Sequence, residues 1–436
     1  MERVRGRRTR EGDGPAPRGG SAGASPSPTP VPRSPAPRLG IVADDLTGAV
    51  DTGVQFARWG LHTLVMLENG PIPESEVVVV TTDSRDEPPE EAYRRTREAA
   101  RLIAGRLPYK KIDSTLRGNL GPELDGLLDG LEMDRALVAP AFPATGRTTV
   151  DGIHMVHGIA LAESPFARDP LWPATESHVP TLLARQTRRT VGHLPLEVVE
   201  RGPEAVATAL RDDPADIVVA DATEVRHLRT LAFALGLVER RWLPCGCAGL
   251  AEEWPAALGC ERPAGGPFRW PPDPRPALVV AGSRNRSTAQ QLRQAAEGGV
   301  LEIVELSPGG DTGEVLTRIK ALLEAGRSVA LTTTFSEYQE GRGKEAAEEL
   351  AREAALALKQ QPVAGVFMTG GDIARAVCRQ LGAAALHAMG EVQPGVAMAE
   401  LDGGIRDRLR VVTKAGGFGD ERAILRSIAC LRGEEI

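Results

Sequence analysis

The chain has 436 residues, 42% hydrophobic and 25% charged, which is enough for two or three ordinary globular domains. Its 52 basic and 59 acidic residues give a net charge of −7, and aromatic residues make up only 4%. This balance argues against nucleic-acid binding, which needs basic grooves and stacking rings. No apolar run approaches the roughly 18 residues of a membrane span. Five scattered cysteines indicate reduced thiols in a cytoplasm rather than a disulfide framework.

The first 38 residues differ in composition from everything that follows. They hold eight Arg, eight Pro, no Lys and three acids, with no periodic apolar pattern. Such a segment cannot bury a core, so a disordered, dispensable tail is predicted over 1–38. It lacks the apolar region of a secretory signal, so export is not expected. Residues 39–436 then carry 44 basic and 56 acidic residues, a net charge of −12.

Short apolar runs of strand length alternate with longer amphipathic stretches through the rest of the chain. The predicted strands are 39–43, 63–67, 77–81, 110–112, 136–139, 217–220, 277–281, 302–306, 328–332, 365–368 and 410–413. The clearest predicted helices are 89–105, 313–325 and 343–359. Continuous Val/Ile/Leu strands between helices are typical of parallel sheets covered on both faces. The predicted fold class is therefore α/β.

A proline-rich stretch divides this pattern. Residues 263–276, "PAGGPFRWPPDPRP", contain six prolines, and neither helix nor sheet continues through such a segment. A new predicted strand begins directly after it. We therefore expect two α/β domains with largely parallel sheets, one at 39–265 and a smaller one at 276–436.

Polar side chains follow the predicted strands of the first domain. The strand 39–43 ends in Asp44 and Asp45 before a helix expected to start near Thr47, and Asp113 and Ser114 follow the strand 110–112. Ligands of open parallel sheets bind outside the carboxyl ends of the strands. Helix capping is the alternative, because N-caps also favour Asp and Ser. Two adjacent acids exceed what one cap needs.

Three cations accompany these acids and define a ligand class. Lys111, Arg117 and Arg147 could grip an anionic group, while the aspartates accept hydrogen bonds from hydroxyls. A small sugar acid carries both a carboxylate and hydroxyls. No metal site is predicted, because the pair His154 and His157 has no acidic ligand between its members.

The second domain offers three glycine-containing loops after predicted strands. They read "AGSRN" from Ala281, "TGGD" from Thr369 and "KAGGFG" from Lys414. Backbone N–H groups exposed at a helix start suit phosphate oxygens, so three such loops predict a nucleotide site. The P-loop signature and a clean dinucleotide fingerprint are both missing, which argues against an ordinary P-loop ATPase or dehydrogenase.

Several ordered blocks together resemble the four-carbon acid sugar kinases. They include "ADDLTGAVDTG" (43–53), "KIDSTLRGNLG" (111–121), "APAFPATGRTTVDGIHMVHG" (139–158), "MTGGDIARAV" (368–377) and "KAGGFGDERAIL" (414–425). The resemblance runs from about residue 39 to 430. It implies a sugar-binding N-terminal domain, a nucleotide-binding C-terminal domain and an active site in the cleft between them. Arg284, Asn285, Asp372, Ile373 and Ala415 depart from the usual family loops.

The resemblance also implies roles for residues and partners. The substrate-binding residues would be Asp44, Lys111, Ser114, Arg117 and Arg147, with Asp45 and Asp113 catalytic. ATP would be held by Ser283, Gly370, Gly371, Asp372, Gly416, Gly417 and Gly419, with Mg²⁺ as cofactor. Of the acids, Asp45 is predicted to be the base, with Asp113 as its rival and Asp44 held back by local backbone donors.

The expected reaction is ATP-dependent phosphorylation of a hydroxyl of threonate, erythronate or 3-oxo-tetronate. The expected partners are the sugar acid and ATP, with no nucleic acid and no membrane, and a homodimer is the oligomer considered. A non-catalytic sugar-acid or nucleotide sensor of the same fold is the first alternative, and an oxidoreductase is the second. Intact acids at positions 44, 45 and 113 favour catalysis.

Overall fold

The computed structural model describes residues 37–68, 70–169, 172–238, 242–283, 285–307, 312–335 and 343–435. The tail predicted over 1–38 therefore lies almost wholly outside the described residues. Residues 36–436 form one compact unit, which is the part described below.

The strands and helices alternate along the chain. The strands are β1 (Leu39–Ala43), β2 (Thr63–Met66), β3 (Val77–Thr81), β4 (Leu107–Lys111), β5 (Arg135–Ala139), β6 (Arg147–Val150), β7 (Ile153–Val156), β8 (Ile159–Ala160), β9 (Val191–Leu194), β10 (Ile217–Ala220), β11 (Trp242–Gly246), β12 (Ala277–Ala281), β13 (Leu301–Glu305), β14 (Ser328–Thr332), β15 (Gly365–Thr369), β16 (Ala385–Gln393), β17 (Val396–Asp402) and β18 (Arg410–Lys414). The helices are α1 (Leu46–Ala57), α2 (Pro89–Leu102), α3 (Leu120–Leu131), α4 (Val179–Ala184), α5 (Leu196–Val199), α6 (Pro203–Asp212), α7 (Val225–Leu235), α8 (Ala248–Ala257), α9 (Arg286–Glu297), α10 (Thr312–Glu324), α11 (Gly343–Gln360), α12 (Gly371–Leu381) and α13 (Ala423–Leu431).

The predicted α/β class is confirmed, with a large and mostly parallel sheet. Within the described ranges, fifteen strands hydrogen-bond in the order β13-β14-β12-β15-β18-β17-β16-β2-β3-β1-β4-β11-β5-β10-β9. The pairings of β2 with β16, β16 with β17 and β17 with β18 are antiparallel, and the others in this sheet are parallel. Strands β6, β7 and β8 form a small antiparallel sheet.

Strands from both sides of the proline-rich stretch belong to this one sheet. Strand β16 pairs with β2, with Leu386 opposite Val65, so the sheets expected for two domains are joined edge to edge. Neither β16 nor β17 was among the strands predicted from the sequence. Strand β16, "ALHAMGEVQ", mixes His387, Gly390 and Glu391 with small residues, so it has no continuous apolar run. Strand β4 begins at Leu107 rather than at the predicted residue 110, because Pro108 argued against a strand at this position.

Helix α1 packs where the two sets of strands meet. Eleven of its twelve residues, Leu46 to Phe56, are buried, because it contacts β1, β2 and β3 as well as β16, β17 and α12. Consecutive β1 residues Ile41 and Val42 belong to different apolar clusters, which shows that the strand is buried on both faces. Among the described residues, no helix has the length and apolar character needed to cross a membrane.

Candidate active site

The first site element is the start of helix α1. Asp45 is its N-cap, and its carboxylate accepts hydrogen bonds from the Gly48 backbone N–H (3.0 Å) and the Thr47 hydroxyl (2.6 Å). The capping alternative therefore holds for Asp45. A Cβ on Gly48 would lie 2.7 Å from Nζ of Lys111 and 2.6 Å from Oδ1 of Asp45, so glycine lets these two charged groups approach the helix.

Arg85, which follows β3, joins carboxylates that follow β1 and β4, the next two strands of the sheet. Its guanidinium lies 2.6 Å from Oδ2 of Asp44, 2.8 Å from Oδ1 of Asp45 and 3.5 Å from Oδ1 of Asp113. The strand order β3-β1-β4 brings these groups together, because each lies just beyond a carboxyl end of a parallel strand. Arg85 was not among the predicted site residues.

Asp113 and Arg117 form a bidentate ion pair. Nε of Arg117 donates to Oδ2 at 2.9 Å and Nη2 donates to Oδ1 at 2.8 Å, while the Thr115 backbone N–H and hydroxyl also donate to Oδ2. Burial alone would raise the pKa of Asp113, but Arg117 and Arg85 outweigh it and hold this pKa well below its usual range. Arg117 is thus engaged by Asp113, and it does not line the cleft described next.

These groups open onto a common cleft. Its lining residues are Asp45, Thr47, Gly48, Asp51, Arg85, Lys111, Asp113 and Ser114 from the first half of the chain, with Gly395, Ala415 and Phe418 from the second. The structure therefore brings four predicted site residues together, namely Asp45, Lys111, Asp113 and Ser114. Thr47, Gly48 and Asp51 were missed, although their spacing within α1 predicts a common helix face.

Lys111 is the cation best placed to meet an anion in this cleft. Its residue is only 3% exposed, and its ammonium group forms no hydrogen bond or ion pair with the residues that the structure describes. By contrast, Arg85 and Arg117 are both committed to aspartates. Asp51, Asp45 and Asp113 act on this charge only at longer range, so its N–H donors are left for the carboxylate of a ligand.

Besides Arg117, two further predicted substrate residues, Asp44 and Arg147, are not part of the cleft lining. Asp44 is buried beside Arg85, and its Oδ1 has no hydrogen-bond partner among the described residues, so the expected local backbone donors do not hold this atom. Arg147 places its guanidinium carbon 4.8 Å from the centre of the Phe418 ring, a cation–π contact between the two halves of the chain. His154 is fully buried and bonds the Ser114 carbonyl through Nε2 at 3.0 Å, as expected for a hydrogen-bonding histidine.

The three glycine loops meet at the carboxyl ends of β12, β15 and β18, which are neighbouring parallel strands. A Cβ on Gly416 would lie 2.3 Å from Oγ of Ser283, so two of the loops touch. Gly370 is the N-cap of α12 with φ of 103°, a conformation that glycine adopts without strain. Gly417 and Gly419 lie in the Gly416 loop, and Asp372 lies in the first turn of α12.

The glycine loops also meet the acidic edge. A Cβ on Gly371 would lie 3.1 Å from Oδ2 of Asp45 and 3.6 Å from the Thr47 hydroxyl. The helix start of α12 therefore approaches the N-cap of α1 across the cleft. Because even one added methyl group would crowd the start of α12, the backbone N–H groups there are accessible to a closely held ligand. Phosphate is such a ligand.

Lys414 shapes one glycine loop from within. It is 1% exposed, and its Nζ donates to the carbonyls of Ala415 (3.2 Å) and Gly416 (2.9 Å) and to the Thr288 hydroxyl (3.3 Å). Burial lowers the pKa of Lys414 to about 7. Its contacts therefore support the loop backbone.

An acid-lined strand edge facing glycine loops across one cleft is the arrangement of a two-substrate α/β enzyme. Two family models match the chain: a sugar-binding N-terminal domain over residues 39–254 and a nucleotide-binding C-terminal domain over residues 278–424. D-threonate kinase of Salmonella typhimurium is 33% identical, covering 88% of this chain and 96% of its own. D-erythronate kinase of Heliobacterium modesticaldum is 36% identical, covering 88% and 94%. A 3-oxo-tetronate kinase of Methylobacterium radiotolerans is 33% identical, covering 87% and 96%.

Solved structures agree with the sequence comparisons. A Salmonella typhimurium LT2 protein superposes with a TM-score of 0.73 at 25% identity, covering 89% of this chain and 98% of its own. A Haemophilus influenzae protein shares the fold with a TM-score of 0.68. The chain therefore belongs to the four-carbon acid sugar kinase family and is an ATP-dependent sugar-acid kinase.

Proposed function

We propose that this protein transfers the γ-phosphoryl group of ATP to a hydroxyl of threonate, erythronate or 3-oxo-tetronate, giving the phospho-sugar acid and ADP. The observation that carries this proposal is the approach of the Gly371 loop to Asp45. It supports a phosphate site beside the cleft that Lys111, Ser114 and the acids line. The relatives named above act on threonate, erythronate and 3-oxo-tetronate.

The sugar acid fits the first half of the cleft by its charge pattern. Lys111 supplies an uncommitted cation for the substrate carboxylate, and Ser114 supplies a hydroxyl beside it. Arg85 and Arg117 fix the carboxylates of Asp45 and Asp113 in place. Carboxylates held in place can accept hydrogen bonds from substrate hydroxyls without first reorganising. This favours the binding of a polyhydroxy acid over that of an acid without hydroxyl groups.

The nucleotide fits the three glycine loops. Ser283, Gly370, Gly371 and the loop carrying Gly416, Gly417 and Gly419 would hold the phosphates through backbone N–H groups. When bound, Mg²⁺ would neutralise part of the negative charge of the triphosphate. Within the described segments no group of three His, Cys, Asp or Glu side chains could hold a metal, so Mg²⁺ would take most of its ligands from phosphate and water. It would also offset the repulsion between the triphosphate and Asp372.

The catalytic roles of Asp45 and Asp113 stay predictions. Both carboxylates already accept several hydrogen bonds, and opposing arginine charge outweighs burial and lowers the pKa of each. Such groups hold and orient hydroxyls better than they remove protons. Cytoplasmic location and a homodimer are likewise still predictions.

A coupled ADP-release assay tests the proposed function. With ATP and Mg²⁺, at least one of D-threonate, L-threonate, D-erythronate and 3-oxo-tetronate should be turned over, whereas erythritol, which lacks the carboxylate, should not. Lys111→Met should raise the KM for the sugar acid about tenfold or more, with KM for ATP little changed. Lys359→Met, on an exposed position of α11, is the matched control. Absence of turnover with every acid would overturn the proposal.

A further inference from the structure

Three carboxyl groups line the cleft, and two of them already accept hydrogen bonds from neighbouring protein groups. Asp45 accepts from the Gly48 N–H, the Thr47 hydroxyl and Arg85. Asp113 accepts from Arg117 and Thr115. The acceptor positions of both carboxylates are therefore largely filled before any substrate arrives.

Asp51 is different, because its carboxyl has no partner. No described residue donates a hydrogen bond to it or pairs with it, and its Oδ1 is buried without a hydrogen bond. Only 8% of the residue is exposed, and it lines the cleft, so the cleft is its route to a ligand. An unpaired buried carboxyl is costly, and a substrate hydroxyl would satisfy it.

Helix α1 places this carboxyl beside the substrate residues. Asp51 lies four residues after Thr47 and three after Gly48, so all three occupy one face of the helix. This face looks onto Lys111, whose Nζ would lie 2.7 Å from a Cβ on Gly48. The proposed anion site at Lys111 and the free carboxyl of Asp51 therefore border the same space, as the two ends of a hydroxy acid require.

The charged surroundings set the proton affinity of Asp51. The titratable groups that act on it or are acted on by it are Lys111, Arg147, Glu391, Asp45, Tyr109 and Cys247. Burial raises the pKa of Asp51 to about 7, and the opposing charge of Lys111 offsets only part of this effect. A carboxyl that titrates near neutrality can both take up and release a proton.

We propose that Asp51 is a catalytic residue that receives the proton of the attacking sugar-acid hydroxyl. This rests on the proposed kinase function. The hydroxyl oxygen forms a bond to the γ-phosphorus as its O–H bond breaks, and the proton passes to the Asp51 carboxylate. The bond from the γ-phosphorus to the bridging oxygen breaks, and its electron pair leaves with ADP. The proton then returns to water.

Asp51→Asn tests this step, because asparagine keeps the shape and removes the basicity. We expect kcat to fall by ~10²–10⁴, with both KM values changed less than about threefold. The rise of kcat with pH near pH 7 should disappear in Asp51→Asn and persist, with a shifted midpoint, in Asp51→Glu. Asp212→Asn, at an exposed position, is the control. ATP affinity by calorimetry confirms that each variant folds.

If the wild type turns over a four-carbon acid and Asp51→Asn has the same kcat, the role of Asp51 is overturned and the kinase function stays intact. A changed KM for sugar acid with an unchanged kcat–pH profile would do the same, because it would show binding alone. If Asp51→Asn fails to fold, an Asp51→Glu enzyme with a wild-type pH profile would overturn the role. A wild type that turns over no four-carbon acid would overturn both proposals.

Discussion

Nε of Arg85 lies 2.6 Å from Oδ2 of Asp44, and the two side chains are 15% and 3% exposed. The pair joins the loop after β3 to the end of β1. The same guanidinium reaches Asp45, so one cation organises adjacent carboxylates that would otherwise repel one another. The two carboxylates can therefore lie side by side at the strand end.

Removing this cation should destabilise the protein strongly. In Arg85→Met the buried carboxylates lose their counter-charge, so the free energy of unfolding should fall by about 3–5 kcal/mol, and Arg85→Lys should lose less. Urea unfolding at pH 7.5 measures the change. Arg94→Met removes an arginine that pairs with Glu91 and Glu98 on the exposed face of α2, and it should have little effect. Equal losses in Arg85→Met and Arg94→Met would contradict the prediction.

Asp51→Asn should stabilise the folded protein above neutral pH. The pKa of Asp51 is raised from 3.8 to about 7, so between these values the folded protein binds more protons than the unfolded chain. Wild-type stability contributed by Asp51 therefore falls as the pH rises from about 4 to 7. Asparagine removes this loss. The free energy of unfolding of the variant should therefore exceed that of wild type by on the order of a few kcal/mol at pH 8 and by little at pH 4.

Asp113→Asn is the opposite case and serves as the comparison. The pKa of Asp113 is held well below 3.8, so its contribution to stability is present above about pH 4 and is lost as the pH falls through its folded value. This variant should be less stable than wild type at pH 8. Urea unfolding of both variants at pH 4.5 and pH 8 checks the signs. A loss of stability in Asp51→Asn that is the same at both pH values would refute the assignment.

The sequence predicted the parts of the fold and the site that depend on local pattern. The apolar strand β1 was predicted in full, and polar residues directly after β1 and β4 place Asp45 and Asp113 at one edge once the sheet is parallel. Mixed-polarity strands such as β16 carry no such pattern, so the joining of the strands into one sheet could not be predicted.

The remaining site features depend on tertiary neighbours. Nothing in the local sequence shows that Arg85 turns toward Asp44 or that Arg117 is committed to Asp113. The free carboxyl of Asp51 is likewise visible only when the partners of the other acids are known. Residue type and helical spacing could have nominated Asp51, but not its lack of a partner.

Gly371→Ala should weaken ATP binding. The added Cβ would lie 3.1 Å from Oδ2 of Asp45, which Arg85 and Thr47 hold in place, so the N-terminus of α12 must move. We expect about a tenfold higher Kd for ATP by calorimetry. A Cβ on Gly343, at the start of α11, meets no atom of the described residues within 4 Å, so Gly343→Ala should bind ATP normally. Wild-type affinity in Gly371→Ala would exclude this loop from the nucleotide site.

Lys414→Met should separate the role of this lysine in the loop from its cost to stability. The carbonyls of Ala415 and Gly416 would lose their donor, so the loop should loosen and the Kd for ATP should rise about tenfold. The pKa of Lys414 falls from 10.5 unfolded to about 7 folded, so between these values the unfolded chain holds the extra proton and wild-type stability rises with pH. Methionine has no such dependence, so its stability relative to wild type should be greater at pH 6 than at pH 9. Urea unfolding at both pH values, with ATP calorimetry at pH 7.5, measures the two effects. A relative stability of Lys414→Met that is larger at pH 9 would show that burial does not lower the pKa of Lys414. An unchanged ATP affinity would show that Lys414 does not support the nucleotide loop.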